Sequence, residues 1–290
     1  MGNNYLDSTI PQGENGGDGG EGDGDEELDG LFESPEDDPP KWVCMLKLYL
    51  DESLDDETGM YYVAGYLGNK KQWKNYVDVW RKELNPRKAI HIADLRLGSK
   101  RARDRYGDIL SRLGRIPAQC GLRAFAGSIC RKDYEDKVSG TVLEVIMEGY
   151  VLSILSLMDE LVLHLNNERV EVFFEEQVIH AALRERAMLV WRKNHKTVSG
   201  WSVLARWGTI PKGTLTEAAD YLCYALHHFH SDPNSQKALL TAPILAQNVI
   251  GNHTAKATID KWLKQISLSR GGMIPKLTTE AKRAIRRIDV

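Results

Sequence analysis

Between residues 141 and 174 the chain passes from a long apolar run, TVLEVIMEGYVLSILSLMDELVLHLN, through an Asn166-Asn167 stop into RVEVFF. The first stretch has the length and composition of a buried helix, and the second is a short β-rich run bounded by polar residues. A buried helix that feeds a buried strand is a crossover unit, and it lays that strand parallel to an earlier one in the same sheet. The chain is therefore expected to build an α/β sheet.

The earlier strands lie upstream. Residues 42–51, WVCMLKLYLD, are rich in apolar and aromatic residues and end in a charged turn. After LDDETG comes MYYVAGYLG, residues 60–68, whose Tyr61, Tyr62, Val63 and Tyr66 suit a pleated surface, so the two runs read as an antiparallel hairpin. GLRAFAGSIC, residues 121–130, supplies a third strand followed by a charged turn and completes a meander. Two helices interrupt it. From Lys70 to Leu84, Trp73, Tyr76, Val77 and Trp80 recur at spacings of three and four, and Asn85-Pro86 ends the helix. SKRARDRYGDILSRLGR, residues 99–115, places Tyr106, Ile109, Leu110 and Leu113 on one side.

Beyond RVEVFF, a helix is expected over residues 177–193, a strand over WSVLARWG (201–208) and a helix over LTEAADYLCYALHHF (215–229). The order is βββαβαβα. It predicts a mixed five-stranded sheet, a three-stranded meander plus two parallel strands, flanked by helices. A helical insertion falls at about residues 70–115, the main domain spans 41–235, and a helical extension occupies 236–290.

Charge divides the chain sharply. Residues 1–40 hold 13 Asp or Glu and no Lys or Arg, which leaves 38 basic against 28 acidic side chains in residues 41–290. The Gly-rich acidic stretch PQGENGGDGGEGDGDEELDG has almost nothing to bury, so residues 1–40 are expected to be a disordered tail. It reads either as a solubilising extension or as an electrostatic competitor for the basic body. A body of that sign suits a polyanionic partner such as DNA or RNA, as it also suits an ordinary solvated surface.

Cys44, Cys120, Cys130 and Cys223 are too far apart for a CxxC metal pair and too few for a disulfide scaffold, and are expected to be reduced. No stretch approaches the apolar length of a membrane span and the start lacks a secretory pattern, so no membrane partner and a cytoplasmic location are expected.

The chemistry follows from the topology. If the first strand and RVEVFF run parallel as neighbours, Asp51-Glu52 after LKLYL and Glu175-Glu176 after VEVFF meet at one edge, where ligands collect in α/β sheets. Clustered carboxylates repel unless a cation neutralises them, and oxygen donors favour Mg²⁺ or Mn²⁺. Asp220, in LTEAADYL, is flanked by Leu215, Ala219 and Leu222 and is the candidate third member. Asp51, Glu175 and Asp220 are the catalytic candidates, with Glu52 and Glu176 as further metal ligands. Acidic residues also follow strands as plain turn chemistry. Such a set suits two-metal hydrolysis of a phosphodiester.

These motifs resemble the family known as domain of unknown function 3800, whose members open on a strand ending in Asp-Glu-Ser. Here that motif is LYLDES, Leu48 to Ser53, and FFEEQ and LTEAADYLCYAL stand where the family places a later acidic strand end and an Ala-Asp helix. The resemblance spans roughly residues 43–230 and implies a ribonuclease H-like fold. The chain departs from the family pattern in carrying Glu175 and Glu176 where Asp is usual, and in the PKGTLTEAAD stretch before Asp220.

The remaining candidates are less specific. Lys100, Arg101, Arg103 and Arg105 read as a phosphate grip or as a solvated helix face. His91 and Asp94 line the same cleft or merely begin a helix. His227, His228 and His230 cannot all face one ion from a single helix, although one of them could shuttle protons. The leading expectation is a metal-dependent nuclease. Its rival is a non-catalytic nucleic-acid or protein interaction module on the same scaffold.

Overall fold

The computed structural model describes residues 45–55, 59–85, 90–95, 97–138, 149–165, 168–176, 181–195 and 204–253. The chain divides into two units, residues 1–38 and 39–290, and every described residue belongs to the second. The acidic tail, most of the carboxy-terminal extension and Cys44 lie outside the described residues.

Six strands form one mixed sheet in the order β5-β4-β1-β2-β3-β6. They are β1 (Met45–Asp55), β2 (Met60–Gly68), β3 (Arg123–Cys130), β4 (Arg169–Glu175), β5 (Leu204–Ile210) and β6 (Val249–His253). β1, β2 and β3 are the antiparallel meander, β4 runs parallel to both β1 and β5, and β6 runs parallel to β3. The meander and the two parallel strands match the expectation, but the sheet has six strands rather than five. The extra strand comes from the extension, whose sequence predicts only helix. The charged turn expected after β3 is helical, and β5 runs on to Ile210, past its expected end, while residues 201–203 of the expected strand lie outside the described residues.

Among the described residues the helices are α1 (Lys70–Leu84), α2 (Lys100–Leu113), α3 (Ile116–Gln119), α4 (Arg131–Val138), α5 (Gly149–His164), α6 (Ala181–His195), α7 (Thr214–Ser231) and α8 (Gln236–Leu245), with a 3-10 turn at Ile92–Leu95. No described helix is long and apolar enough to cross a membrane.

Alternation along β1 sorts the two faces. Leu46, Leu48 and Leu50 join Val170, Val172 and Phe174 of β4 in a core with Ile154, Leu157 and Met158 of α5 and Met188 and Trp191 of α6. Lys47, Tyr49 and Asp51 point to the other face, which α7 covers over β1 and β2. There Tyr49 stacks on Phe173 with ring centroids 5.3 Å apart and meets Trp73 of α1 edge-on at 4.6 Å. Gly127 permits the close seating of α5, because a Cβ there would lie 2.2 Å from the Ser153 carbonyl oxygen. α1 opens on a reciprocal cap in which Gln72 N–H donates to Asn69 Oδ1 at 3.0 Å and Asn69 N–H to Gln72 Oε1 at 2.8 Å.

Candidate functional site

Parallel pairing brings the ends of β1 and β4 to one edge. The last paired couple is Leu50 beside Phe174, so the next residues along the two strands are Asp51 and Glu175. Both are buried, and both follow the odd-numbered residues that face α7. α7 lays Asp220, also buried, over the same edge. Cys223, one turn further on, holds the helix there by directing its thiol to the Asp51 carbonyl oxygen at 3.0 Å.

Each carboxylate has a distinct environment. Asp220 Oδ2 accepts from the Ile92 backbone N–H at 3.0 Å and lies 2.8 Å from His91 Nδ1. Glu175 Oε2 accepts from the Thr216 hydroxyl at 2.9 Å, and its Oε1 lies 3.6 Å from Lys212 Nζ. Arg184 of α6 donates to the Glu175 carbonyl oxygen and fixes the strand end. Asp51 has less support, since its Oδ1 is buried without a hydrogen-bond partner among the described residues. Burial raises the Asp51 carboxyl well above the usual range, and the charges of Asp220, Glu52 and Glu175 push the same way.

The other two acidic candidates are placed differently. The β-strand alternation turns Glu52 to the opposite side from Asp51, where its Oε2 accepts from the Tyr150 hydroxyl of α5 at 3.3 Å and its Oε1 has no hydrogen-bond partner among the described residues. Burial pushes Glu52 up to about 7, against the opposing charge of Arg184. Glu176 is exposed, and its backbone N–H donates to the Ile210 carbonyl at 2.8 Å, so it continues the ladder with its side chain outside the cluster. Of the neighbouring glutamates, Glu175 is the one gathered with Asp51.

His91 joins the cluster through Asp220, whereas Asp94 is exposed. His227 reaches β1 through its Nδ1, 3.1 Å from Ser53 Oγ, and His230 stacks on Tyr62 with centroids 5.5 Å apart. Lys100, Arg101, Arg103 and Arg105 are all exposed on α2.

Lys212 and Arg184 are not singled out by sequence, and Thr216 is legible there only as a polar residue near the start of the last core helix. Nothing in local periodicity marks them, since each acts across a chain reversal. Glu217 is equally silent in the sequence. It is buried, but Trp80 Nε1 donates to it, which makes it a packed structural group rather than an open ligand.

Among the described residues, no group of three or more Asp, Glu, His or Cys side chains is arranged to enclose an ion as it stands. The chemistry of the donor set nonetheless fits a hard cation. Asp51 presents a buried oxygen that is unpartnered among the described residues and lies amid negative charge, and oxygen donors dominate around it. No family model, curated protein or solved structure matches the chain.

Proposed function

We propose that the carboxylate edge formed by Asp51, Glu175 and Asp220 is the site of a Mg²⁺- or Mn²⁺-dependent phosphodiester hydrolase, a nuclease. The observation that carries this reading is the buried Asp51 Oδ1, without a hydrogen-bond partner among the described residues and set beside further carboxylates. A buried acceptor left unpaired costs about 1–3 kcal/mol, and crowding carboxylates adds to that, so the arrangement is a liability unless something positive binds there.

When bound, divalent cations at such a site activate a water and stabilise the leaving oxygen. The chain's own groups have the task of holding the ligands. His91 and the Ile92 N–H orient Asp220, while Thr216 and Lys212 orient Glu175. Fixing ligands through such partners is what distinguishes a built site from a chance cluster of acids. Glu52, turned towards Tyr150, stands ready as a supporting group at the strand end.

The order β5-β4-β1-β2-β3, with an antiparallel meander and two added parallel strands, is the one expected of a ribonuclease H-like sheet and supports the same reading. The resemblance of LYLDES to the Asp-Glu-Ser motif supports it from the sequence side. With no matching relative, the reading rests on site chemistry.

The test is cleavage of DNA, RNA and RNA–DNA hybrids with Mg²⁺ or Mn²⁺, wild type against Asp51→Asn. The expected loss is at least about 100-fold, the scale of removing a group that stabilises transition-state charge. Equal activity in both proteins, or none in wild type with either ion, overturns the nuclease reading and leaves a non-catalytic binding module.

A further inference from the structure

Asp220 begins a stripe along α7. Tyr224 and His228 follow it at i+4 and i+8, so the three side chains share one side of the helix. The Tyr224 and His228 rings meet edge to face with centroids 4.3 Å apart, and both remain partly exposed. The charge of Asp220 reaches the Tyr224 hydroxyl, which is pushed up to about 12 chiefly by burial. At 1.5 Å per residue, the stripe runs about 12 Å from the carboxylate to the second ring.

Cations lie at the far end of the stripe. The Tyr221 hydroxyl donates to the Leu110 carbonyl near the end of α2, and Gln236 Nε2, just past α7, donates to the Ser99 carbonyl at its start. The packing of α2 on α8, which starts at Gln236 just beyond α7, sets the start of α2 near the carboxy-terminal end of α7. That first turn of α2 carries exposed Lys100, Arg101 and Arg103. Along α7 the buried carboxylate is followed by a pair of rings, and the exposed cations that open α2 lie near the helix's carboxy-terminal end.

We propose that this side of α7, together with the start of α2, is a track for single-stranded nucleic acid leading into the carboxylate cluster. Its destination rests on the nuclease reading above, but the track binds whether or not the site cuts. Ring faces take unpaired bases, which a duplex keeps stacked inside, and the cations take the phosphates. A positively charged groove interleaved with aromatic rings tolerates any sequence, because every base has a π-face. The acidic side chain of Asp104 sits among the cations without reversing their excess.

The experiment uses full-length Asp51→Asn in EDTA, titrated into labelled oligo(dT), oligo(U) and a duplex of equal length. The expected result is single-strand binding at least about tenfold tighter than duplex binding. Tyr224→Ala is expected to weaken it about fivefold or more, the lower end of what a base–aromatic stack contributes, with Tyr224→Phe within about twofold of the parent. Changing Lys100, Arg101 and Arg103 together to Ala is expected to weaken binding of every sequence and to reduce the salt slope by about one for each phosphate no longer neutralised. Equal affinity for duplex, no oligonucleotide binding, or Tyr224→Phe as weak as Tyr224→Ala overturns the track. Tight single-strand binding without metal-dependent cleavage by wild type keeps the track and removes the nuclease. Cleavage without preferential single-strand binding does the reverse.

Discussion

The Thr216 hydroxyl donates to Glu175 Oε2 at 2.9 Å, and this bond ties the first turn of α7 to the end of β4 inside the fold. It also separates two glutamates that are adjacent in sequence. Glu175 is held and buried, whereas Glu176 carries its side chain into solvent. Glu175→Gln is therefore expected to lower divalent-ion affinity at least about tenfold, the scale of losing an ordered group around a metal, while Glu176→Gln stays within about twofold. Isothermal titration with Mn²⁺ measures both, and a larger loss from Glu176→Gln would reverse the assignment.

The hydroxyl of Thr216 itself is open to a separate test. Thr216→Val keeps the shape but leaves the buried Glu175 oxygen without its donor, at a cost of about 1–3 kcal/mol in denaturant unfolding. Thr216→Ser restores the donor and is expected to recover most of the loss. If the valine variant is as stable as wild type, the bond contributes nothing to α7 docking.

How legible these relationships are from sequence depends on whether local pattern or tertiary approach sets them. The three-and-four spacing of Trp73, Tyr76, Val77 and Trp80 marks α1, and apolar-rich runs broken only by Lys47 and Glu171 mark β1 and β4, because burial on both faces leaves that trace. β6 leaves none. Its sequence VIGNH has two strong β-formers followed by Gly and Asn, and it is a strand only because β3 offers an edge to pair with. α4 is hidden for the opposite reason, since RKDYEDKV has no apolar stripe and buries only Tyr134 among its described side chains. The crossover topology anticipates Asp51 and the Glu175-Glu176 pair without choosing between the two glutamates, and the apolar neighbours Leu215, Ala219 and Leu222 mark Asp220. His91 cannot be firmly joined to Asp220, because 129 residues separate them and only the packing of the 3-10 turn on α7 brings them together.

Metal-free protein should lose stability as pH rises through the neutral range. Glu52 moves from its ordinary 4.5 up to about 7, and Asp51 is raised as well, both chiefly by burial. For an acid raised in the folded state, the favourable contribution is complete below the unfolded value and is lost as pH climbs through the folded one. Thermal unfolding in EDTA is therefore expected at falling Tm between about pH 4.5 and 7. Asp51→Asn should flatten that fall, and saturating Mg²⁺ or Mn²⁺ should oppose it for wild type alone. A Tm that rises over this window contradicts the electrostatic account of the cluster.

On the α7 face, Lys47 is 1% exposed and its Nζ lies 3.2 Å from Glu171 Oε2, while Arg206 pairs with the other oxygen of the same carboxylate. Burial lowers the Lys47 pKa, and the attraction of Glu171 offsets part of that. Glu171→Gln removes the anion that the two cations share in these ion pairs, so it is expected to destabilise by about 3–5 kcal/mol in denaturant unfolding, as breaking a buried pair does. Replacing the pair as a unit, with Lys47→Met and Glu171→Leu, removes the buried ammonium together with its anion and leaves only the more exposed Arg206 without that partner, so it should recover much of the loss. A double variant as unstable as Glu171→Gln alone would show that the ion pair supplies specific packing which apolar side chains of similar size cannot replace.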